Sequence, residues 1–435
     1  MECEYQFDSV QSVAEQQICT SFLDLNDHCL LQVCKYLELW DMINLSRTCK
    51  RLETVSGWAA IQFRYFSMED YVQYYGKGDD DLVKIQSDMN SVMRLISPVI
   101  ETLDFESIDD RGKVLCIFQN FDFSNLKSLT VFKSDQLQWI NNRNNINELT
   151  ISQLRRSDLN DFSGNMTELK RIKLGSVSDD VTMEELFSFL EKNPNIECLQ
   201  LCDELKYSIG EDFFEKFKNL KILELKLGHN YRDLEFVLQV ENLTKLTLTL
   251  VRFNFFDNDD FVRAIGAANH IKTFLRMLAP RKTLKSLDLE CMKYDDELID
   301  ILASLNLVSL RLIDQQNMFN DFTQKLQRTS FPTLRYLDIN TAPVNPETLF
   351  HLIRHSMCLE RMYLSLLAPY DRDPFLEKLS RLLLGMKKNT SRPDLVIYAM
   401  VPLMKIEIFF NSRCYQIKTK VVDEYVIGNC DSWLH

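Results

Sequence analysis

The stretch NLKILEL (Asn219–Leu225) sets Leu220, Leu223 and Leu225 in the pattern L-x-x-L-x-L. Residues two apart share one side of a strand, so Leu223 and Leu225 face one way and Leu220 packs from the entering turn. The phrase recurs on both sides. Before it come NLKSLTV (Asn125–Val131), INELTI (Ile146–Ile151), ELKRIKL (Glu168–Leu174) and NIECLQL (Asn195–Leu201). After it come NLTKLTL (Asn242–Leu248), TLKSLDL (Thr283–Leu289), NLVSLRL (Asn306–Leu312), TLRYLDI (Thr333–Ile339) and CLERMYL (Cys358–Leu364). IETLDF (Ile100–Phe105) reads as an earlier member and DLVIYAM (Asp394–Met400) as a later one.

From Leu126 to Leu359 successive phrases start 20 to 27 residues apart, except for one interval of 41 between Leu243 and Leu284. That period and pattern are the leucine-rich-repeat signature, with one short parallel strand and one helix per repeat. A single repeat cannot bury its own leucines, so the repeats stack into a solenoid with a continuous core. The expected fold class is α/β: a curved parallel sheet with outer helices, preceded by a small three-helix unit. VTMEELFSFLEKN, PETLFHLIRHS and DPFLEKLSRLLLGMKKN read as the intervening helices, with Pro346 and Pro374 at helix starts where a missing N–H costs little. The long interval holds FDNDDFVRAIGAANHIKTFLRMLAP, a longer helix or an inserted turn. The Asn or Cys usual three residues after the L-x-L pair is absent, with Gly228, Met292, Gln315 and Ala342 in its place.

The N-terminal region is of another kind. LNDHCLLQVCKYL (Leu25–Leu37) carries Leu30, Val33 and Leu37 on one helical face and Leu31 and Cys34 on a second apolar edge. DMINLSRTCKRL (Asp41–Leu52) spaces Met42, Leu45, Cys49 and Leu52 three or four apart, with Asp41 as expected helix cap. Trp58, Ile61 and Tyr65 mark a third helix. So small a unit has more apolar edge than it can bury by itself.

These two phrases resemble an F-box, over roughly Leu23 to Phe66, and the order of helices then repeats resembles the leucine-rich-repeat class of F-box proteins. Leu25, Leu30, Leu31, Val33, Tyr36 and Leu37 occupy family positions, as do Asp41-Met42, Leu45 and Thr48-Cys49-Lys50; Asn26 stands where Pro is usual. The resemblance implies a Skp-type adaptor bound through Leu25, Leu30, Leu31, Val33, Leu37, Met42, Leu45 and Cys49, a cullin scaffold reached through it, and repeats that hold a protein substrate for ubiquitination. The expected division is residues 1–20 tail, 21–66 F-box, 67–92 linking segment and 93–435 solenoid. The competing expectation is a repeat scaffold or GTPase-regulator type protein whose N-terminal helices only cap the array. A cap would present a polar outer face.

Composition narrows the remaining classes. The chain has 435 residues, 46% hydrophobic and 26% charged, with only 11 Gly and 10 Pro, which is the make-up of a folded chain without long linkers. A net charge of −13 disfavours nucleic acid, whose phosphates need clustered Lys and Arg. No apolar run approaches the roughly 18 residues of a membrane span. The twelve scattered cysteines read as free thiols in a reducing cytosolic or nuclear compartment.

No catalytic, cofactor or metal motif is expected. HLIRH (His351–His355) has Leu352 where a zinc protease needs Glu. Cys198 and Cys202 lack a second ligand pair and read as facing away from the core, GKGDDD (Gly76–Asp81) lacks phosphate-loop spacing, and DNDD (Asp257–Asp260) lacks the Gly and closing Glu of a calcium loop. The acidic clusters at 179–180, 211–212, 259–260 and 295–297 read as helix starts. A substrate surface is expected on the face opposite the leucines, where Asp288, Arg311, Tyr336, Asp338, Arg361 and Tyr363 combine aromatic rings with both signs of charge.

Overall fold

The structure, a computed structural model, describes residues 21–70, 82–106, 116–140, 143–156, 166–178, 181–205, 217–227, 234–250, 258–290, 295–313, 326, 328–366, 377–379, 381–382, 393–401, 404–411 and 416–421. Among the expectations above, Asp179-Asp180, Glu211-Asp212, the GKGDDD stretch, Pro374 and the 1–20 tail lie outside these residues.

Three helices open the chain: α1 (Asp27–Cys34), α2 (Leu39–Ser46) and α3 (Lys50–Ala59). Asn26 caps α1 by accepting the Cys29 N–H at 2.8 Å. The cap residue of α2 is Glu38, without a side-chain bond, so Asp41 sits inside the first turn rather than at the cap. There it still meets the positive end of the helix dipole.

One sheet of fifteen strands follows in strict sequence order. Its strands are β1 (Tyr65–Ser67), β2 (Thr102–Phe105), β3 (Ser128–Lys133), β4 (Glu148–Leu154), β5 (Arg171–Val177), β6 (Cys198–Leu205), β7 (Ile222–Leu227) and β8 (Lys245–Leu250). They continue with β9 (Ser286–Glu290), β10 (Ser309–Ile313), β11 (Tyr336–Val344), β12 (Arg361–Leu366), β13 (Leu395–Val401), β14 (Met404–Asn411) and β15 (Gln416–Val421). The first thirteen are parallel, and the residue in the phrase's second apolar position pairs with its counterpart at every step. The row runs Leu103, Leu129, Leu149, Ile172, Leu199, Leu223, Leu246, Leu287, Leu310, Leu337, Met362, Ile397. Every side chain in it is buried. This is an α/β solenoid with the register expected from the repeats.

Two boundaries differ from expectation. The sheet starts at Tyr65, not near residue 93: β1 pairs in parallel with β2, and helix α4 (Leu82–Ile96) lies in the segment between them as the first outer helix. Ser67 and residues 82–92, expected in a linking segment, therefore belong to the first repeat. At the other end β14 and β15 run antiparallel. Only two residues separate Val401 from Met404, and a parallel return needs a crossover of about a dozen residues or more.

The outer layer is mixed. α5 (Met183–Glu191), with a Thr182–Glu185 capping box, α7 (Asp296–Ser304), capped by Asp295, and α8 (Pro346–His355), with Pro346 in its first turn, are α-helices. The long interval is α6 (Asn258–Leu278), a 21-residue helix. Cys116–Asn120, Ser134–Trp139 and Glu235–Gln239 are 3-10 turns, where a full helix per repeat was expected. Repeat length does not decide this, since α7 fits in the 23 residues from Leu284 to Leu307 while Cys116–Asn120 lies in the 26 from Ile100 to Leu126.

The repeats are stitched along one rim. The carbonyl ahead of each strand accepts two N–H groups of the next repeat, from Glu101 and Thr102 on Arg64 O to Glu360 and Arg361 on Arg335 O. Asparagines opening the phrases extend the stitching. The side-chain amides of Asn125, Asn145, Asn195 and Asn242 donate to Pro98, Ser124, Thr167 and Lys218 carbonyls, one repeat back. The polar ladder thus sits before the strand, whereas the usual pattern has it after.

Asp104 on β2 introduces a pH dependence. Burial, partly offset by the Glu106 N–H bond at 2.8 Å, holds its carboxyl above the ordinary carboxylate range. A raised acid pKa contributes stability below the unfolded-state value, near 3.9, and that contribution is lost as pH rises through the folded-state value. Asp104→Asn, which keeps the acceptor without the charge, is therefore expected to melt higher than wild type at pH 7 and to converge with it near pH 3. Equal melting curves at pH 7 would show that the buried charge costs nothing.

Candidate protein-docking surfaces

The three N-terminal helices bury Leu30, Cys34, Met42, Ile43, Leu52, Val55 and Ala59 among themselves and against α4. Leu30 and Met42, expected to contact a partner, are 0% exposed and pack inside the unit instead. Helical periodicity put them on the apolar face, and the packing of α1, α2 and α3 on one another covers that part of it. Leu25 and Val33 are exposed, and Leu31, Leu37, Leu45 and Cys49 are half-buried at the margin.

Side chains not expected at this surface stand out further. Tyr36 is almost fully exposed, Trp58 is 54% and Ile61 57% exposed, and Leu23 is exposed beside them in sequence to Leu25. Arg51 on α3 holds the Leu23–Leu25 segment in place, donating to the Leu23 and Leu25 carbonyls and to Asp27. Gln62 Nε2 donates to the Cys34 carbonyl at 3.4 Å, which sets the turn after α3 beside the end of α1. Of the three residues expected to mark a third helix, Trp58 lies in α3, Ile61 in the 3-10 turn after it and Tyr65 in β1. Their spacing was visible, but the chain ending α3 turns them outward.

An ion pair from Arg47 on α2 to Asp88 on α4, a carboxylate that is mostly buried, ties this unit to the sheet's first repeat. The family model for the F-box domain matches residues 22–58, the segment that makes these helices. The chain thus carries an F-box domain ahead of its leucine-rich repeats. F-box domains are adaptor-binding modules of ubiquitin ligases, and leucine-rich repeats are protein-binding arrays; both are interaction modules.

No curated protein matches the chain. Among solved structures it is similar to a leucine-rich-repeat protein of Leptospira interrogans, at 15% identity and a TM-score of 0.26, covering 68% of this chain and 90% of that one. It is also similar to a chain of the Toll–Spätzle complex from Drosophila, at 13% identity and a TM-score of 0.25, covering 63% of this chain and 46% of that one, so it spans less than half of that relative's length. The chain's repeat architecture rests on its own register and strand pairing.

The sheet's open face, opposite the leucine row, is the second surface. Asp288 is only 6% exposed and lies 3.8 Å from Lys245 Nζ, itself 7% exposed, with Thr247 Oγ1 at 3.4 Å. Asp288 is therefore removed from the expected contact residues: long neighbours on the adjacent strands cover it. Arg311 Nε is 3.2 Å from an Asp338 carboxylate oxygen on the next strand, so these two charges offset each other. Tyr336 donates to Glu360 at 3.3 Å, Arg361 is exposed, and Tyr363 is half-buried. Cys198, read as facing away from the core, is indeed on this face but is buried there.

Tyr398 was missed. It pairs in register with Tyr363, and the rings stack at 4.5 Å with 9° between planes. Carrying the repeat phrase one strand further, into DLVIYAM, puts Tyr398 in the same column as Tyr363. The signal was present in the sequence.

Proposed function

We propose that this protein is the non-catalytic substrate-recognition subunit of a Skp–cullin–F-box ubiquitin ligase. The observation that carries the reading is the apolar surface that the F-box leaves uncovered after packing its own core: Leu23, Leu25, Val33, Tyr36, Trp58 and Ile61. A polar surface would be expected of a unit that only caps the array. The Skp adaptor docks on this surface and carries the cullin. The open face of the later repeats holds a protein substrate through Tyr336, Arg361, Tyr363 and Tyr398, since Tyr and Arg side chains anchor interfaces. The ligase works in the cytoplasm or the nucleus, a setting that suits cysteines used as small buried side chains, as Cys34 and Cys198 are.

Purified full-length chain mixed with Skp adaptor tests the first half. A stable complex is expected, and no detectable complex at micromolar concentration removes the ligase reading. For the second half, Tyr336→Ala with Tyr363→Ala is expected to abolish capture of the cellular partner while adaptor binding is unchanged. Retrieval of the same partner at the same yield would move the contact elsewhere.

A further inference from the structure

On the outer side of the solenoid, α8 and the helical turns at 377–379 and 381–382 enclose a half-open cleft of about 510 Å³. That volume lies in the range of small-molecule sites, roughly 300–1,000 Å³. Phe350 and Leu382 supply an apolar part of its lining, and Arg354, Lys378, Arg381 and Glu347 a charged part. Lys378 pairs with Glu347 and lies 5.1 Å from the centre of the Phe350 ring, and Arg381 pairs with Glu377 at 2.5 Å. Those two pairs use both carboxylates. Arg354 has no carboxylate partner among the described residues, which leaves one positive charge in excess at the cleft.

That excess stands out in a chain whose overall net charge is −13. His351 also lines the cleft, with its ring stacked on His355 at 4.2 Å. Burial, the neighbouring His355 and Arg354 hold the His351 imidazole below its usual range, against a bond to the Thr329 backbone, so it is neutral at pH 7 and acts as a hydrogen-bonding group. A guanidinium presents a planar fork of donors that matches anionic oxygens.

We propose that this cleft binds a small organic anion, a phosphate or carboxylate carried on an apolar body, with Phe350 and Leu382 against the body and Arg354 on the anionic oxygens. Arg381 joins it there, since its solvent-exposed pair with Glu377, four residues away, is weak and exchangeable. The site is on the opposite side of the sheet from the substrate surface proposed above and does not depend on the adaptor reading. Charge alone would accept any anion, so the apolar lining sets the preference. Neutral molecules of the same shape lack the group that Arg354 awaits.

Phenyl phosphate, titrated into the full-length chain by calorimetry or ligand-observed NMR, is the probe; inorganic phosphate and benzyl alcohol report the charge and the ring separately. Saturable binding in the millimolar range or tighter is expected, at least about fivefold tighter than either half-probe. Arg354→Gln with Arg381→Gln is expected to weaken it by roughly tenfold or more, because two charge-assisted contacts are lost. Both side chains are exposed, so the fold should be retained, as an unchanged melting curve would verify. Arg171→Gln, an exposed cation on the sheet, is the control and should leave binding intact. No saturation at about 10 mM, equal binding by the double variant, or equal binding of benzyl alcohol would each overturn the proposal. Equal affinity for inorganic phosphate would overturn the role given to Phe350 and Leu382.

Discussion

Leu223→Asp is expected to unfold the middle of the solenoid rather than one strand. Leu223 is fully buried and stands in the unbroken apolar row between Leu199 and Leu246. The substitution places a carboxylate where none of the row's neighbours can bond to it, and it removes the packing of a whole leucine. Either effect alone costs several kcal/mol, and mutations above about 4 kcal/mol are the exceptional ones. In a repeat array each unit is stabilised largely by its neighbours, so the loss spreads to the flanking repeats. Denaturant unfolding should show a reduced midpoint, and hydrogen exchange should lose protection across β6 to β8. The exposed neighbour Lys173→Asp, on the open face, is the comparison and should cost under about 1 kcal/mol. A Leu223→Asp variant with unchanged protection in β6 and β8 would show that the repeats do not share one core.

The second large effect separates binding from folding at the F-box. Trp58→Ala and Ile61→Ala each remove exposed apolar surface, so the chain's melting curve should hardly move. Adaptor affinity should fall by about 2 kcal/mol for an anchor residue, which is roughly thirtyfold. Leu30→Ala should do the reverse. Its side chain is sealed in the core formed by α1, α2 and α3, and a buried Leu→Ala costs about 2–5 kcal/mol of stability. Any adaptor binding it loses should track the unfolded fraction. If Leu30→Ala stays as stable as wild type while losing the adaptor, or if Trp58→Ala and Ile61→Ala bind normally, the assignment of the contact surface is wrong. Binding measured by calorimetry beside thermal melts of each variant reads both quantities.

The repeat register was legible in the sequence because it is a local property. Which leucines face the core follows from the two-residue alternation of a strand, and recurrence at 20 to 27 residues identifies strands that must stack. The same reasoning found three N-terminal helices but ran the second through Leu52 and the third to Tyr65, whereas Leu52 lies in α3 and Tyr65 opens β1. It left the long interval open between a helix and an inserted turn, and the structure makes it the helix α6. Tyr398 was legible too, because the phrase DLVIYAM places it in the column of Tyr363.

Other features were decided only by the tertiary structure. Periodicity assigns a side chain to a face, but the share of that face hidden by neighbours is a sum over elements distant in sequence. Leu30 and Val33 share one apolar face of α1, yet α2 and α3 cover the first and leave the second exposed. Asp288 and Tyr363 fall in the same column, yet Asp288 sinks beside Lys245 while Tyr363 finds Tyr398. β1 lies too far from the regular phrases for its short run to be recognised without its partner β2. The antiparallel end is a matter of connection length, which sets strand direction without altering the pattern of buried residues. Local alternation determined the core of this protein, and long-range packing determined which of its remaining side chains are free to meet a partner.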